Sequence, residues 1–367
     1  MTAPRLLYLV SHPIQYQAPL LRLAAQDPRW SLRVLFEKVD TVGGYHDPGF
    51  GTHVRWDVPL CDGYDNVALA QTDLGAEIAA ADVVWLHGWA SRTMHKALAL
   101  AKGMNKPVLM RAENWDGAMP DGSGLRGWLK RLYLRRIFSR CAAFLAIGSA
   151  NRAYYRRFNI DDARIFTVPY AVDNAFFATH AEQADLDALR AELGVAPGKQ
   201  VILYCGKFQS RKHPEQLVAA WKNLAQPRPV LLMVGDGEMR EQLRAMAEPG
   251  MIFAGFRNQT QLPGLYRLAD IFVLPSEREP WGLAVNEAMA CGTAVVVSDQ
   301  VGSAFDLVDP SCGAVFPTGD IQALAQALLL VLDQAPHLGE QARRRIDLWD
   351  FRADLDGLAQ AVNHVLA

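Results

Sequence analysis

The sequence predicts an α/β protein of two successive domains, each built on a doubly wound parallel sheet. Its 367 residues exceed the length that a single hydrophobic core usually sustains. Short apolar runs of strand length alternate with longer segments of helical period, which is typical of parallel sheets covered by helices on both faces. The alternation forms two series on either side of a polar region at 181–200, so we predict two domains.

Each series supplies the strands of one sheet. In the first we predict strands at 5–10, 32–36, 83–87, 108–111, 143–147 and 165–168, with helices at 18–25, 92–102, 125–140 and 151–158. In the second we predict strands at 201–205, 230–234, 251–254, 271–274 and 294–298, with helices at 215–224, 238–246, 261–268 and 283–290. Ligands of such sheets bind beyond the carboxyl ends of the strands, so two facing sheets would place the reaction in the cleft between them.

Composition excludes several classes of protein. The formal net charge of −2 argues against a nucleic-acid binder, which normally carries a basic excess. The five cysteines are far apart and form no zinc-ligand spacing, so we expect reduced thiols and no metal. The start is a poor signal peptide, and no apolar run is long enough to span a membrane. We therefore expect a cytoplasmic protein.

The stretch at 269–298 is the most informative, because a strand, a loop and a helix bracketed by proline and glycine follow one another there. The free N–H groups near Gly282 and Leu283 predict an anion site at the helix start. Glu279 and Glu287 flank that site, and carboxylates accept hydrogen bonds from sugar hydroxyls. This arrangement suits a sugar nucleotide. The alternative is that Glu279 caps the helix and Glu287 is a solvated helix residue.

A basic loop follows the first strand of the second series. Gly206 is followed by Lys207, Arg211 and Lys212. Cations at the carboxyl edge of a strand can neutralise a leaving diphosphate without a metal ion. No Asp-rich motif for Mg²⁺ is evident, which fits that interpretation. The alternative is a solvated basic loop without a ligand.

Two further strand ends carry residues suited to a nucleotide. Gly235 and Gly237 form half of a dinucleotide fingerprint, which is a weak signal alone. Phe256 and Arg257 follow the next strand, where a base could rest. The alternative for Phe256 is a plain core residue.

The order GKF, RK, VGDGE, FAGF and PSEREPWGLAVNEAMACG resembles the retaining glycosyltransferases of family 4. The resemblance is close over about 201–315 and looser elsewhere. It implies the GT-B fold, in which two Rossmann-like domains face each other across a cleft. It further implies an acceptor-binding domain at 1–180, a donor-binding domain at 181–348, and a helix at 349–367 that packs back on the first domain.

The resemblance also implies roles for single residues. In the family, the carboxylate matched by Glu279 contacts the transferred sugar, and the one matched by Glu287 contacts the ribose. Lys207 and Lys212 match the pair that contacts the diphosphate, although an arginine is more usual at the position of Lys207. We therefore predict Lys207, Lys212 and Glu279 as the catalytic set. The predicted donor-binding residues are Gly206, Arg211, Gly235, Gly237, Phe256, Arg257, Trp281, Gly282, Leu283 and Glu287.

The first domain departs from the family pattern. The segment SHPIQYQ at 11–17 stands where members often have a glycine-rich loop. Glu113 takes the place of a histidine that lies near the donor sugar, and an ionised carboxylate accepts hydrogen bonds but cannot donate them. The segment 45–64 resembles an acceptor-side loop. Possible acceptor or cleft residues are His12, Gln15, Tyr16, His87, Glu113 and Asn114. The alternative for the histidines is a structural role.

The helix predicted between Leu125 and Arg140 is strongly basic. It could bind an anionic membrane weakly, since some family members meet lipid-linked acceptors. Its apolar stripe is formed by Leu125, Trp128, Leu129 and Leu132. We favour packing of this stripe against the protein over membrane contact.

The function implied is a metal-independent, retaining transfer from a nucleoside-diphosphate sugar to a glycan, lipid-linked or small-molecule hydroxyl. UDP is favoured as the carrier, with GDP next, and no cofactor is expected. The alternatives are a nucleotide-sugar epimerase of the same fold and a non-catalytic nucleotide- or carbohydrate-binding protein. A nicotinamide dehydrogenase is the weakest alternative, because neither first strand leads into a complete glycine fingerprint. The expected location is the cytoplasm, possibly at the inner face of the membrane.

Overall fold

The computed structural model describes residues 3–367, which divide into two compact units. The first unit comprises residues 3–45, 58–170 and 351–367, and the second comprises 46–57 and 171–350. The predicted limits at 180/181 and 348/349 lie near the boundaries at 170/171 and 350/351. The division differs from the predicted one in that residues 46–57, which interrupt the first series, belong to the second unit.

The strands up to residue 170 are, in chain order, β1 (Arg5–Val10), β2 (Ser31–Phe36), β3 (Tyr45–Asp47), β4 (Thr52–Val54), β5 (Asn66–Ala68), β6 (Val83–His87), β7 (Val108–Arg111), β8 (Ala143–Ala146) and β9 (Ile165–Thr167). The helices of this part are α1 (Ala18–Gln26), α2 (Leu74–Ala80), α3 (Arg92–Gly103), α4 (Gly124–Phe138) and α5 (Ser149–Arg157). Seven strands form a parallel sheet in the order β5-β2-β1-β6-β7-β8-β9, and β3 pairs with β4 separately.

The six predicted strands of this sheet are all present, but β5 and α2 were missed. A strand of three residues carries too little periodicity to be recognised. The central strands β1, β6 and β7 are buried along almost their whole length, as expected for strands covered on both faces.

The chain of the second unit continues with β10 (Val201–Cys205), β11 (Val230–Val234), β12 (Met251–Gly255), β13 (Ile271–Leu274), β14 (Ala294–Ser298) and β15 (Gly313–Phe316). Its helices are α6 (Asn174–Gln183), α7 (Leu186–Leu193), α8 (Pro214–Lys222), α9 (Arg240–Ala245), α10 (Leu262–Leu268), α11 (Leu283–Ala290), α12 (Ala304–Leu307), α13 (Ile321–Asp333) and α14 (Ala335–Ile346). The six strands form a parallel sheet in the order β12-β11-β10-β13-β14-β15.

Part of the polar boundary at 181–200 is helical. The side chain of Asp185 accepts a hydrogen bond from the Ala188 backbone N–H, which caps the start of α7. Gly194 ends this helix in the left-handed conformation. The boundary prediction missed α7 because none of its residues is fully buried, so its apolar pattern is weak.

The C-terminal helix α15 (Phe351–Leu366) packs against β8 and β9 of the first unit. Its buried face carries Leu358, Ala361 and Val362. The helix approaches the sheet so closely that a Cβ atom on Gly357 would lie 1.9 Å from the Thr167 carbonyl oxygen. The predicted return of this helix to the N-terminal domain is confirmed.

Both sheets reverse their order of connection next to their first strand. In the first sheet β1 lies between β2 and β6, and in the second β10 lies between β11 and β13. Loops at the carboxyl ends of strands diverge at such a switch point and leave a crevice that can hold a ligand. The loops that follow β1, β6, β10 and β13 are therefore the candidate ligand-binding loops of the fold.

Helix α4 corrects one expectation. Its predicted stripe is exposed, from 71% for Leu125 to 50% for Leu129, so the preference for packing of this stripe was wrong. The opposite face packs inward through Gly127, Leu134, Ile137 and Phe138. The helix carries two apolar faces, and sequence alone does not say which of them the sheet covers.

Candidate functional site

The switch point of the second sheet brings a lysine and a glutamate together. The Lys212 ammonium donates a hydrogen bond to Glu279 Oε2 at 2.5 Å, and both side chains are largely buried. Lys212 follows β10 and Glu279 follows β13, so the adjacency of these two strands creates the pair. The predicted anion-binding loop and the predicted sugar-binding carboxylate thus lie side by side.

The loop after β13 is held from two directions. The Arg211 guanidinium donates to the Arg278 carbonyl at 2.9 Å, and the Glu277 N–H donates to the Arg211 carbonyl at 2.9 Å. On the other side, the Glu279 backbone is bridged to Val301. Together these bonds to the main chain of the loop fix the backbone position of Glu279. Arg211 thereby acts as a positioning residue in this structure.

Helix α11 begins immediately after this loop. Gly282 precedes it with φ +93°, a conformation that other residues rarely adopt. A Cβ atom there would also lie 2.9 Å from a Leu274 methyl carbon. The N–H groups of Leu283 and Ala284, the first two residues of the helix, have no carbonyl partner within it, whereas the Val285 N–H donates to the Gly282 carbonyl at 2.9 Å. Glycine thus permits the turn that brings these donors next to Glu279.

Glu287 lies one turn inside α11. It accepts a hydrogen bond from the Tyr266 hydroxyl at 2.7 Å. Burial raises the pKa of Glu287 to about 7, although the bond from Tyr266 acts in the opposite direction. The alternative of a solvated helix residue therefore does not hold for Glu287.

Lys207, the other predicted catalytic cation, is paired with a residue from segment 46–57. Its ammonium donates to both carboxylate oxygens of Asp47, at 2.8 and 3.0 Å, and lies 4.9 Å from the centroid of the Phe50 ring. Asp47 is buried, and its carboxylate also accepts the Gly49 N–H at 2.7 Å. A carboxylate is therefore the present partner of Lys207.

The same segment covers the predicted base position. Phe256 meets the Phe50 ring edge-on at 4.9 Å between centroids, and Trp56 lies 6.2 Å away. The Asn258 side-chain amide donates to the Arg55 carbonyl at 2.6 Å. Phe256 is thus part of an aromatic cluster with segment 46–57.

Arg257 turns toward α7 and forms an ion pair with Glu192 at 2.9 Å. It also donates to the Ala254 carbonyl at 3.2 Å. Its contacts in this structure stabilise the end of β12. They give no independent support for the predicted contact with the donor.

The predicted glycines bring two strand-end turns into contact. A Cβ atom on Gly235 would lie 1.9 Å from the Gly206 carbonyl oxygen. At Gly237, which has φ +151°, it would lie 2.7 Å from the Phe208 carbonyl oxygen. The loop after β11 therefore requires glycine at both positions, because its backbone touches the backbone of the loop after β10.

Trp281 is a packing residue in this structure. Its indole is 3% exposed, stacks on Trp349 at 5.6 Å, and donates to the Asn286 side chain at 2.9 Å. Contact with the donor, as predicted from the sequence, would require it to leave this stack. The structure thus gives the indole an internal role.

The first unit has a pocket of about 300 Å³ at the carboxyl ends of its strands. Its polar lining comes from residues at or beyond the carboxyl ends of β1, β2, β6 and β7, which are Ser11, Glu37, His87, Ser91, Glu113 and Asn114. Trp89, Met94 and Met119 form an apolar wall. Of the six residues predicted in this unit, His87, Glu113 and Asn114 line the pocket.

His87 joins several aromatic hydroxyl groups beneath this pocket. Its Nδ1 lies 2.6 Å from the Tyr8 hydroxyl, and its Nε2 lies 3.2 Å from the Tyr170 hydroxyl and 3.5 Å from Glu113 Oε1. Tyr170 donates to Glu113 and lies 3.2 Å from the Tyr16 hydroxyl. The predicted residues Tyr16, His87 and Glu113 therefore belong to one hydrogen-bonded network.

Glu113 remains acidic despite its surroundings. Burial would raise its pKa, but His87, Tyr170 and the charge of Arg111 together hold the pKa below the usual value for a glutamate. At neutral pH the pocket therefore contains an ionised carboxylate where many family members have a histidine.

The remaining predicted residues lie nearby. Burial lowers the pKa of His12, and its Nδ1 lies 2.8 Å from the Ser11 hydroxyl. Gln15 is half-buried in the turn before α1. Asn114 is buried and accepts the Trp89 indole N–H at 3.2 Å. Asn114 thus supports the wall of the pocket.

Sequence reasoning missed four residues of these two sites. Asp47, Tyr170, Tyr266 and Glu37 contact predicted residues or line the pocket. Tyr170 and Glu37 lie just beyond strand ends, which is a usable signal. No local sequence signal indicates the pairing of Asp47 with Lys207, because the two residues are 160 positions apart.

Residues 3–367 contain no group of three or more His, Cys, Asp or Glu side chains arranged to hold a metal ion. Within the same range, no helix combines the length and apolar character needed to cross a bilayer.

Two family profiles match the chain. The profile described as glycosyl transferases group 1 matches residues 185–346, and the one described as a glycosyl transferase 4-like domain matches 22–171. A D-inositol 3-phosphate glycosyltransferase of Segniliparus rotundus is 31% identical over 212 residues, which are 54% of this chain and 46% of that protein. A Methanocaldococcus jannaschii protein named as an uncharacterized glycosyltransferase is 31% identical over 177 residues, 47% of this chain and 45% of that protein. The chain thus spans about half the length of the curated relatives it matches.

Solved structures resemble the whole chain. Sucrose-phosphate synthase of Thermosynechococcus elongatus has a TM-score of 0.71 at 21% identity and covers 99% of both chains. Anabaena HepE in complex with UDP and glucose has a TM-score of 0.72 at 16% identity and covers 98% of this chain and 99% of its own. At these identities the likeness establishes the fold. With two parallel Rossmann-like sheets, a returning C-terminal helix and profile matches over most of its length, the chain belongs to the group 1, family-4 type glycosyltransferases of the GT-B fold.

Proposed function

We propose that the protein is a retaining glycosyltransferase that uses a nucleoside-diphosphate sugar. The observation that carries the proposal is the Lys212–Glu279 pair beside the start of α11, at the switch point of the second sheet. Cationic and helix N–H donors suit a diphosphate, and a carboxylate suits the hydroxyl groups of a sugar. HepE, which has the same fold, was solved with UDP and glucose, and this supports UDP as the carrier.

In the proposed reaction the bond between the anomeric carbon and the diphosphate oxygen breaks. The acceptor oxygen bonds to the same carbon from the same face, and the acceptor proton passes to a departing phosphate oxygen. Lys207, Lys212 and the N–H groups after Gly282 stabilise the charge on the diphosphate. Glu279 orients the transferred sugar, and Glu287 accepts the ribose hydroxyl groups.

A bound diphosphate changes the partners of both lysines. Lys207, whose side chain is 31% exposed, is paired with Asp47, and Lys212, whose side chain is 14% exposed, is paired with Glu279. A diphosphate carries more negative charge than one carboxylate and binds several cations at once. We propose that it replaces Asp47 on Lys207 and adds to Glu279 on Lys212.

The proposed chemistry does not use a metal ion, because lysines and helix N–H groups neutralise the leaving group. Transfer activity should therefore persist in EDTA. Loss of activity in EDTA that Mg²⁺ or Mn²⁺ restores would contradict this part of the proposal.

The central experiment separates transfer from its alternatives. The protein is incubated with UDP- and GDP-sugars, with and without a panel of glycan, lipid-linked and small hydroxyl acceptors, and the products are identified by mass spectrometry and NMR. We expect free nucleoside diphosphate and an acceptor glycoside with retained anomeric configuration. Isomerised donor without acceptor would indicate an epimerase. Tight nucleotide binding with neither transfer nor slow donor hydrolysis would indicate a binding protein.

We also propose that α4 contacts an anionic membrane surface. Leu125, Trp128, Leu129 and Leu132 are exposed on one face, and Tyr133 beside them is 45% exposed. Exposed Arg126 and Arg135 flank this face, and exposed Arg136 continues it one turn after Leu132. Apolar side chains with a basic border bind anionic bilayers by insertion and charge attraction.

Vesicle sedimentation tests the membrane contact. We expect the protein to sediment with phosphatidylglycerol vesicles and much less with phosphatidylcholine vesicles. Trp128→Ser combined with Leu132→Ser should abolish sedimentation, whereas Leu348→Ser, at an exposed leucine of the second unit, should not. Equal sedimentation of all three proteins would refute the contact.

A further inference from the structure

The pocket of the first unit differs in charge from the site of the second. Two of its lining residues, Glu37 and Glu113, are carboxylates. Among the described residues that line it, none is a lysine or an arginine. Arg111 lies nearby, but its guanidinium is buried and paired with Asp354 at 2.7 Å. The pocket therefore offers two carboxylates, and His87, 3.5 Å from Glu113, is the one basic side chain among its described lining residues.

Both carboxylates are fixed in place. Glu37 accepts the Ser91 hydroxyl, and that same hydroxyl caps the start of α3 by accepting the Met94 N–H. Glu113 accepts the Tyr170 hydroxyl. In each case the bond is to one oxygen, and a carboxylate has further acceptor positions on the other. The pocket thus displays preorganised hydrogen-bond acceptors.

The wall of the pocket completes the chemical pattern. The Trp89 ring is held by its indole bond to Asn114, and Met94 and Met119 lie beside it. An aromatic and apolar surface next to polar acceptors suits the C–H face and the hydroxyl groups of a sugar ring. A volume of about 300 Å³ is of the size that holds one small molecule.

We infer that this pocket takes an uncharged polyhydroxylated acceptor and rejects a phosphorylated one. This inference rests on the proposed function, because it assigns the acceptor of that reaction to the pocket of the first unit. A phosphate monoester placed here would meet two carboxylates, with no lysine or arginine in the described lining and with His87 already engaged by Glu113. Like-charge contacts of this kind strongly disfavour binding. The chain would then differ from relatives named D-inositol 3-phosphate glycosyltransferases, whose name specifies a phosphorylated compound.

The test uses matched pairs of probes on the full chain without nucleotide. Inositol is compared with D-inositol 3-phosphate, and methyl hexosides with their 6-phosphates, by saturation-transfer NMR and calorimetry. We expect a neutral member to bind at least about tenfold more tightly than its phosphate. In Glu37→Gln combined with Glu113→Gln this preference should fall to about threefold or less. Glu340→Gln, at an exposed position of α14, is the control for net charge and should leave the preference unchanged.

The outcomes are distinct from those of the donor experiment. Equal or tighter binding of a phosphorylated member, absence of binding by every neutral member, or a preference unchanged in the folded double variant would overturn the inference. Thermal shift with UDP on the same samples reports on the donor site separately. A chain that binds UDP but prefers phosphorylated acceptors would refute this inference and leave the proposed function standing.

Discussion

The end of β7 and the end of β10 carry the same type of interaction in different surroundings. Arg111 pairs with Asp354, and both side chains are at most 1% exposed. Lys207 pairs with Asp47, and its side chain is 31% exposed. In both cases the carboxylate comes from a distant part of the chain. The difference is access to solvent, and therefore to a competing anion.

Burial decides what each pair can do. The Arg111 pair attaches α15 to the first sheet, and neither charge can be replaced from outside. Such pairs need not raise net stability, but removal of one partner leaves an uncompensated buried charge. The Lys207 and Lys212 pairs lie at accessible strand ends, where a diphosphate could bind the cations. We interpret the Arg111–Asp354 pair as structural, the Lys207–Asp47 pair as one that a diphosphate can replace, and the Lys212–Glu279 pair as one to which a diphosphate adds.

The largest expected effect is on the buried pair. Asp354→Ala should reduce the free energy of unfolding by about 3–5 kcal/mol, because Arg111 would remain buried without its carboxylate. Denaturant unfolding followed by circular dichroism measures this loss. Asp356→Ala is the matched control, since that carboxylate lies on the same helix in an exposed pair with Arg29 and should cost no more than about 1 kcal/mol. Equal losses of unfolding free energy in the two variants would show that burial does not distinguish the Arg111–Asp354 pair from the exposed Arg29–Asp356 pair.

The next effect is on transfer chemistry. Lys212→Ala should lower kcat by about 100- to 1000-fold while KM for the donor changes little, because charge on the leaving diphosphate peaks in the transition state. Steady-state kinetics with the donor that the incubation experiment identifies measures both constants. Lys222→Ala removes a lysine of the same unit that pairs with Glu248 and should retain activity. Unchanged turnover in Lys212→Ala would contradict its assignment.

A smaller effect should appear at Lys207. Asp47→Asn removes the charge that a diphosphate must displace, so UDP should bind about three- to tenfold more tightly, as measured by calorimetry. Asp57→Asn gives the same change in net charge within segment 46–57, where Asp57 accepts the Thr260 N–H. If both variants tighten binding alike, the effect is general electrostatics. Weaker UDP binding by Asp47→Asn would show that the Asp47 carboxylate favours nucleotide binding and does not compete with the diphosphate.

The smallest effect concerns Glu287. Its pKa of about 7 means that lowering the pH from 8 to 6 protonates it and removes acceptor capacity for the ribose hydroxyl groups. When the pH is lowered from 8 to 6, UDP affinity should therefore decrease in both proteins. The decrease should be up to about tenfold larger in the wild type than in Glu287→Gln, which has no carboxylate to protonate. Protonation of the diphosphate itself affects both proteins equally, so the comparison with the variant removes its contribution. Parallel pH dependence in both proteins would exclude ionisation of Glu287 from binding.

The two candidate sites differed in how far sequence predicted them. In the second unit, Glu279, Gly282 and Glu287 lie within one contiguous strand–loop–helix stretch, and local pattern sufficed to group them. In the first unit, His87 and Glu113 follow separate strands, so their place in one pocket depended on the order of those strands. Their partner Tyr170 was missed for the same reason.

The sequence by itself determined two series of strands and helices and the stretch that carries Glu279 and Glu287, because periodicity and turn chemistry are local properties. Only the tertiary structure decided which charges meet. The pairs Lys207–Asp47 and Arg111–Asp354 join residues 160 and 243 positions apart. It also decided that α4 buries Leu134 and exposes Trp128. These outcomes depend on strand order and on which helix face the sheet covers, and neither is written in the spacing of residues along the chain.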